Sequence, residues 1–228
     1  MKFSLVIPAY NEEANIPSVV RGMREALCEF ETSFEIIVVD NGSTDRIPEI
    51  LRQLATDVPE LRSIRIEVNR GYGNGVMVGL REAKGDILGW VDADNQIAPE
   101  DVVAAYLAIR DGQADLVKAV RRSRRESLFR GIQSVVYNAL FRLLFGGSLR
   151  DINAKPKLFV RSFWESSHLV SLDWFIDAEV MIKAMRKGSR IAEVEVSWGA
   201  RTSGRSNIRL SASIEFLKNM FRYKFLGD

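Results

Sequence analysis

The sequence predicts an α/β fold with a mainly parallel central sheet flanked by helices. Three observations carry this. Short apolar runs alternate with longer amphipathic ones through the first half of the chain, and strands that alternate with helices imply crossover connections. No internal repeat or low-complexity linker interrupts the alternation. The 228 residues, 46% hydrophobic and 27% charged, are enough to bury one ordinary core.

The elements follow in order. Phe3 to Ile7 reads as the first strand, and Val20, Met23, Leu27 and Phe30 then mark one face of a helix. Glu35 to Val39 is the second strand, and Ile47, Ile50, Leu51 and Leu54 mark the next helical face. Ser63 to Val68 is the third. The glycine-rich segment Asn69 to Gly75 then leads into a helix, where glycines permit close backbone approach and a helix amino terminus favours an anion. It lacks the Gly-Lys-Ser/Thr of a Walker loop and does not match the dinucleotide fingerprint. Ile87 to Val91 is the fourth strand, and Ala98-Pro99-Glu100-Asp101 starts a helix with proline and acids in its first turn. Leu116 to Val120 is the fifth. Further on, Phe129, Ile132, Val135, Val136, Ala139, Leu140, Leu143 and Leu144 form one face of an amphipathic helix. Leu210, Ile214, Leu217, Phe221 and Phe225 form another, beside Lys218, Arg222 and Lys224.

Composition limits the function classes. A formal net charge of +2 names no partner by itself. The single Cys28 excludes an internal disulfide and is expected to be a small buried apolar residue. The apolar run at the start is too short for a signal peptide, and no 18-residue uncharged apolar stretch is present. A cytosolic location, with contact to a membrane surface left open, is expected.

In an open parallel sheet the ligand crevice lies beyond the carboxyl ends of the strands. The first strand is followed by Pro8-Ala9-Tyr10-Asn11-Glu12-Glu13 and the second by Asp40-Asn41-Gly42-Ser43-Thr44-Asp45. Asp40 is placed to accept hydrogen bonds from a base or ribose, while Ser43, Thr44 or Asp45 caps the next helix. The fourth strand runs into Asp92-Ala93-Asp94-Asn95-Gln96. Alternate residues of an extended chain face the same way, so Asp92 and Asp94 can converge on one point. Two readings stand at this stage: a solvated acidic turn, or oxygen ligands for Mg2+ or Mn2+ shared with substrate phosphates.

Taken together and in this order, these segments, with the glycine segment that ends Ala83-Lys84-Gly85-Asp86, closely resemble glycosyltransferase family 2. Within it they are most similar to the dolichol- or polyprenyl-phosphate sugar synthases. The resemblance implies a GT-A type fold, a nucleotide-sugar donor, GDP- or UDP-linked, and Mg2+ or Mn2+. It implies that Pro8, Tyr10, Glu12 and Asp40 surround the nucleoside, and that Asp92, Ala93, Asp94 and Gln96 take the diphosphate, with Asp92, Asp94 and Gln96 on the metal. It covers residues 1–120, the nucleotide-sugar half, most closely, and extends through an acceptor half at 121–209 and an amphipathic helix at 210–228 of the same domain.

The segment from Leu116 to Arg150 holds eight basic residues against the single acid Glu126, a local charge of +7. Arg124 and Arg125 read as solvated. Arg121 directly follows a strand, so it belongs at the crevice rim, where a planar guanidinium suits a phosphate. The resemblance assigns Arg121, Arg130 and Ser134 to the acceptor phosphate and Arg201, in Arg201-Thr202-Ser203-Gly204-Arg205-Ser206-Asn207, to a loop near the donor phosphates; Asp94, Arg121, Arg130 and Arg201 would carry catalysis. Two departures mark the acceptor side. Asp151-Ile152-Asn153-Ala154-Lys155-Pro156-Lys157 stands where many relatives have Asp-x-x-Ser-Gly-Phe, and Asn207 stands where lysine is common.

The helix from Phe129, about 17 residues or roughly 25 Å long, has charged ends around an 11-residue uncharged middle, which speaks against spanning a bilayer. A core helix and an interfacial one both fit, and a second such helix at the carboxyl end favours membrane contact. Anchoring is then peripheral or through a partner protein. The reaction implied is inverting transfer of a sugar to a polyprenyl or dolichyl phosphate at the cytoplasmic face of the membrane. One rival is transfer to a sugar hydroxyl, which needs a general base, with Asp177 or Glu179 as candidates. Another is a non-catalytic nucleotide-sugar binder or membrane adaptor. The sole histidine, His168, reads as structural, and nucleic acid is not an expected partner.

Overall fold

The computed structural model describes residues 2–122, 128–199 and 210–225, with the side chains of 128–130, 132 and 210–216 excepted. Its elements are β1 (Phe3–Ala9), α1 (Ile16–Cys28), β2 (Phe34–Asn41), α2 (Ile47–Asp57), β3 (Leu61–Ile66), α3 (Tyr72–Glu82), β4 (Ile87–Trp90), α4 (Pro99–Arg110), β5 (Leu116–Arg121), α5 (Leu128–Phe145), β6 (Lys157–Val160), α6 (Arg161–Ser167), α7 (Ile176–Arg186), β7 (Ile191–Val196) and α8 (Leu210–Phe225). The strands form one seven-stranded sheet in the order β3-β2-β1-β4-β6-β5-β7. Every pair is parallel except the two that β6 makes, with β4 and β5.

Both faces of the sheet centre are covered, which is why β1, β2 and β4 are buried along their whole length, whereas the edge strands β3 and β7 alternate with polar residues. On one face Phe3, Leu5 and Ile7 of β1 pack with α1, α2 and α4. On the other, Val6, Ile37 and Val39 pack with α3, and Leu116 and Phe159 with α5 and α7. Glu35 stitches the lower edge: its carboxylate accepts from Ser4 Oγ (2.7 Å), Arg62 Nη1 (2.7 Å) and the Lys84 amide (2.8 Å).

Pro8 shows how the crevice opens. Lys2 and Val6 turn their carbonyls toward β4, accepting from Ile87 and Val91, so the even residues of β1 face that neighbour. The β1–β4 register ends at Val6–Trp90, and Pro8, the next even residue, lies past it. A residue without an N–H therefore costs no ladder bond there.

The structure corrects several expectations. Cys28 is exposed, and so is Phe30, because α1 ends at Cys28 and its apolar face goes no further. β6 and β7 lie outside the strands the periodicity predicts. In α5 the inward stripe is Tyr137 and Phe141, with Leu140 and Leu144 partly covered, whereas Val135, Val136 and Leu143 point outward at 66%, 55% and 82% exposure. In α8 Met220 and Tyr223 turn inward while Phe221 and Phe225 are exposed; the side chains of Leu210 and Ile214 lie outside the described residues. Among the described residues no helix is long and apolar enough to cross a membrane.

Helix α3 lies close against the sheet at Gly79, where a Cβ would meet Val6 Cγ1 at 2.3 Å. Replacing a mid-helix glycine with alanine ordinarily stabilises a protein by about 0.5–1 kcal/mol. Gly79→Ala is expected to reverse that sign and cost about 1–3 kcal/mol through overpacking, measured as a lower urea midpoint at unchanged m-value.

Candidate active site at the carboxyl edge of the sheet

Strand order reverses between β1 and β4, and ligands of open α/β sheets bind beyond the carboxyl ends at such a point. The loops after β1 and β2 form one wall. Asn11, at φ 55°, donates its amide to Ser43 Oγ (3.1 Å), and its side-chain carbonyl accepts from the Thr44 amide (2.9 Å). The Glu13 amide donates to Asp45 Oδ2 (3.0 Å) while Asp45 Oδ1 accepts from Ile47 at the start of α2 (3.2 Å). A cavity of about 380 Å³ lies between these loops, lined by Asn11, Glu12, Glu13, Ala14, Asn15, Thr44 and Asp45. Glu12 is buried and accepts from Asn15 Nδ2 (2.6 Å); of the residues just before this loop, Tyr10 is half-buried and Pro8 is buried. Asp40 is only 2% exposed, with Oδ1 accepting from the Ser43 amide (2.8 Å) and Oδ2 from Arg65 (2.5 Å). Each of its oxygens thus has a protein partner.

The glycine segment serves the protein itself. Cβ atoms at Gly71 and Gly73 would lie 2.5 Å from Leu172 O and 2.6 Å from Asp173 O, and the Asn74 amide donates to Leu172 O (2.8 Å). The close approach expected for a ligand is made by the 171–173 backbone, and one of the first amides of α3 is taken by a carbonyl. Tyr72 stacks on Trp174 (4.2 Å between centroids) and donates its hydroxyl to Asp92 Oδ1 (2.7 Å). Burial, then the nearby Asp92 and Asp177 carboxylates, hold this phenol well above its ordinary pKa, so it remains a donor.

Asp92 is tied to a buried ion ladder. Its Oδ2 lies 3.4 Å from Lys155 Nζ; Lys155 reaches Asp177 Oδ2 (3.0 Å), and Asp177 Oδ1 accepts from Lys157 (2.6 Å), which also donates to Ala154 O (2.9 Å). Lys155 also lies over the rings of Tyr72 (4.8 Å) and Trp174 (5.5 Å). The two lysines respond oppositely to the same surroundings. Burial works against the charge of Lys155, but Asp177 and Asp92 outweigh it and raise the pKa to about 12. For Lys157 burial prevails over Asp177, with Lys155 and Lys118 repelling it further, and the pKa falls to about 8.

Asp94 begins a turn, its Oδ1 accepting from the Gln96 amide (3.2 Å), with Asn95 at φ 60°. Ala93 is buried beneath. Gln96 spends its Nε2 on Gly199 O (2.9 Å) and its own carbonyl on the Gly199 amide (2.9 Å), beside a bridge from Ile97 to Trp198. Arg121 comes to the same edge. Its Nε and Nη2 grip both oxygens of Asp151 (2.7 and 2.6 Å), and its guanidinium lies 4.8 Å from the Trp198 ring. The fork expected to meet a phosphate has a protein carboxylate in it. Ser134 is half-buried one turn before Asn138, which donates to it and accepts from the Ile152 amide (2.9 Å).

The two candidate bases lie beneath the crevice. Glu179 is fully buried, its oxygens accepting from the Val170 and Ser171 amides (2.9 and 2.8 Å) with Lys183 at 3.0 Å, so it fixes the loop that touches α3. Asp177 is held between its lysines. His168 ends α6 in the left-handed conformation, and its carbonyl accepts from Lys183. Arg201 and its loop, Arg124 and Arg125, and the Arg130 side chain lie outside the described residues. Lys155, Lys157, Tyr72, Trp174 and Trp198 escape the sequence reading. Lys155-Pro156-Lys157 leading into Leu158 to Val160 was the available signal.

The model of glycosyl transferase family 2 matches residues 4–172. The chain belongs to glycosyl transferase family 2. Over 170 residues it is 36% identical to the undecaprenyl-phosphate 4-deoxy-4-formamido-L-arabinose transferase of Pectobacterium carotovorum, covering 74% of this chain and 50% of that protein. It is 32% identical over 206 residues to glycosyltransferase AglD of Haloferax volcanii, covering 87% and 33%. The chain thus spans half or less of the length of these two relatives. Glucosyl-3-phosphoglycerate synthase of Mycobacterium tuberculosis, solved with Mn2+, UDP-glucose and phosphoglyceric acid, superposes with a TM-score of 0.77 at 23% identity, covering 98% of this chain and 79% of that one. The family 2 domain has the GT-A type fold.

Asp177→Asn is expected to cost about 3–5 kcal/mol, because it strips a buried partner from two lysines. Urea unfolding measures this. A general base would instead lose activity at undiminished stability.

Proposed function

We propose that this chain transfers a sugar, with inversion, from a nucleoside-diphosphate donor to a polyprenyl phosphate at the cytoplasmic surface of a membrane. The observation that carries the reading is the position of Asp92 and Asp94, just past the end of β4, which pairs with β1 where the sheet order reverses. In this reading Pro8, Tyr10, Glu12 and Asp40 shape the nucleoside pocket. Asp92, Ala93, Asp94 and Gln96 face the diphosphate, and Arg201 joins them.

The donor set fits Mg2+ or Mn2+: two carboxylates and an amide oxygen are hard ligands, and Lys155 already presents a cation to Asp92. Among the described residues no three His, Cys, Asp or Glu side chains converge into a cage, and Mg2+ commonly takes one or two carboxylates and completes its shell with substrate phosphates. Asp92, Asp94 and Gln96 would hold the ion, which when bound supplies charge neutralisation to the leaving diphosphate. The chain's own part is to hold the donor and bring the acceptor phosphate, near Arg121, Arg130 and Ser134, into line behind the anomeric carbon.

A phosphate monoester has a second pKa of about 6 and is mostly ionised at neutral pH. It needs no general base, which agrees with Asp177 and Glu179 being spent on lysines and backbone amides. A sugar hydroxyl acceptor would need one. The relatives named above support a lipid phosphate, since one is an undecaprenyl-phosphate sugar transferase. Membrane contact fits the outward faces of α5 and α8: exposed Val135, Val136, Leu143, Phe221 and Phe225 beside Arg142, Lys218, Arg222 and Lys224.

Radiolabelled nucleotide-sugars, tested singly with Mg2+ or Mn2+, are expected to yield label in an organic phase only when polyprenyl phosphate is present. Transfer that ignores the lipid, or a product of retained configuration, would defeat the proposal. Asp94→Ala should lower that transfer about 100-fold or more at unchanged circular dichroism; full activity removes Asp94 from the site. The double variant Leu143→Glu, Phe225→Glu changes only exposed side chains and should weaken sedimentation with phosphatidylglycerol vesicles about tenfold or more. Unchanged sedimentation places the membrane contact elsewhere.

A further inference from the structure

The structure brings a lysine to the carboxylate assigned to the metal. Lys155 Nζ lies 3.4 Å from Asp92 Oδ2, and the side chain is 6% exposed. It is fixed from three sides: by Asp177 at 3.0 Å, by the Tyr72 ring and by the Trp174 ring. Tyr72 completes the arrangement by donating to the other oxygen of Asp92. The lysine belongs to the stretch 151–157, where this sequence departs from the pattern of its lipid-phosphate relatives.

Asp92 and Asp177 carry two negative charges, and Lys155 and Lys157 two positive ones. This set is neutral, so a divalent ion approaching the free protein finds no net negative charge in it. It also meets an ammonium already paired with one of its ligands, and like charges a few ångströms apart in a poorly solvated site repel strongly. A nucleoside diphosphate reverses the balance by adding its own negative oxygens.

We propose that Lys155 is an internal counter-cation that competes with the divalent metal for Asp92, so that metal and nucleotide diphosphate enter the site together. The proposal rests on the reading that Asp92 and Asp94 bind the metal. Lys155 acts here through Asp92, as a positioning residue. Its charge keeps Asp92 compensated while the donor is absent and yields when the metal–diphosphate unit arrives.

The test is Mn2+ titration followed by the electron paramagnetic resonance of free Mn2+, with no nucleotide, with UDP and with GDP. In the unaltered protein at least one nucleotide is expected to tighten Mn2+ binding about tenfold or more. Lys155→Met should tighten nucleotide-free binding by a similar factor and shrink the nucleotide effect. Binding of Mn2+ by folded Lys155→Met no tighter than by the unaltered protein overturns the proposal. Should that variant fail to fold, Lys155→Gln, which removes the charge but keeps a polar group beside Asp92 and Asp177, takes its place, and the same comparison decides. Asp92→Asn separates the two ideas. If it abolishes Mn2+ binding while Lys155→Met changes nothing, only the lysine's role fails; if nucleotide-dependent Mn2+ binding survives Asp92→Asn, the metal assignment fails and takes the proposal with it.

Discussion

The carboxylate of Asp177 is the constraint on which the crevice floor depends. A carboxylate removed from water is tolerable only where charge and hydrogen bonds replace its hydration, and here two ammonium groups do so from opposite sides. One lysine enters from just before β6, the other from its first residue, and the acid stands in the first turn of α7. Two pieces of chain that are far from Asp92 in sequence, the entry to β6 and the start of α7, are thereby fixed against it. The arrangement also explains why two neighbouring lysines diverge: burial works against the charge of both, but Asp177 and Asp92 offset it for Lys155, whereas Lys157 has Asp177 alone and is repelled by Lys155 and Lys118.

A second set of contacts joins the two halves of the chain. Gln96 exchanges hydrogen bonds with Gly199, the Asp101 carboxylate accepts from the Ser197 amide (2.9 Å), and Trp198 lies under the Arg121 guanidinium. The exit of β7 is thus held on the acidic turn itself. Arg121 and Asp151 fix the far side of the same wall. Residues 197–199 are thus held by Gln96, Ile97 and Asp101, which follow β4.

The first half of the chain was legible because its signals are local. The predicted strands are short apolar or alternating runs in one piece, and each of Asp40, Asp92 and Arg121 lies at or just beyond a strand end where a parallel sheet opens. The features that escaped depend on pairings between distant residues. β6 has four residues and is stabilised by antiparallel neighbours on both sides rather than by a pattern of its own. The basic cluster after β5 suggested a phosphate site, but periodicity cannot reveal that Asp151, 30 residues away, closes on Arg121. The α5 face was misjudged for a related reason: apolar residues surround much of that helix, and only its contact with α8 and α7 decides that Phe141 turns in and Leu143 out.

The reversed direction of β6 changes which end of a connection meets the crevice. In a parallel sheet only the residues after each strand reach the binding edge, so the crevice is assembled from segments that all leave the sheet. β6 runs the other way, and the chain that enters it, Asp151 to Lys157, arrives at that edge as well. Substitutions in this one inbound segment can therefore alter the electrostatics beneath the acidic turn without touching β1, β2 or β4.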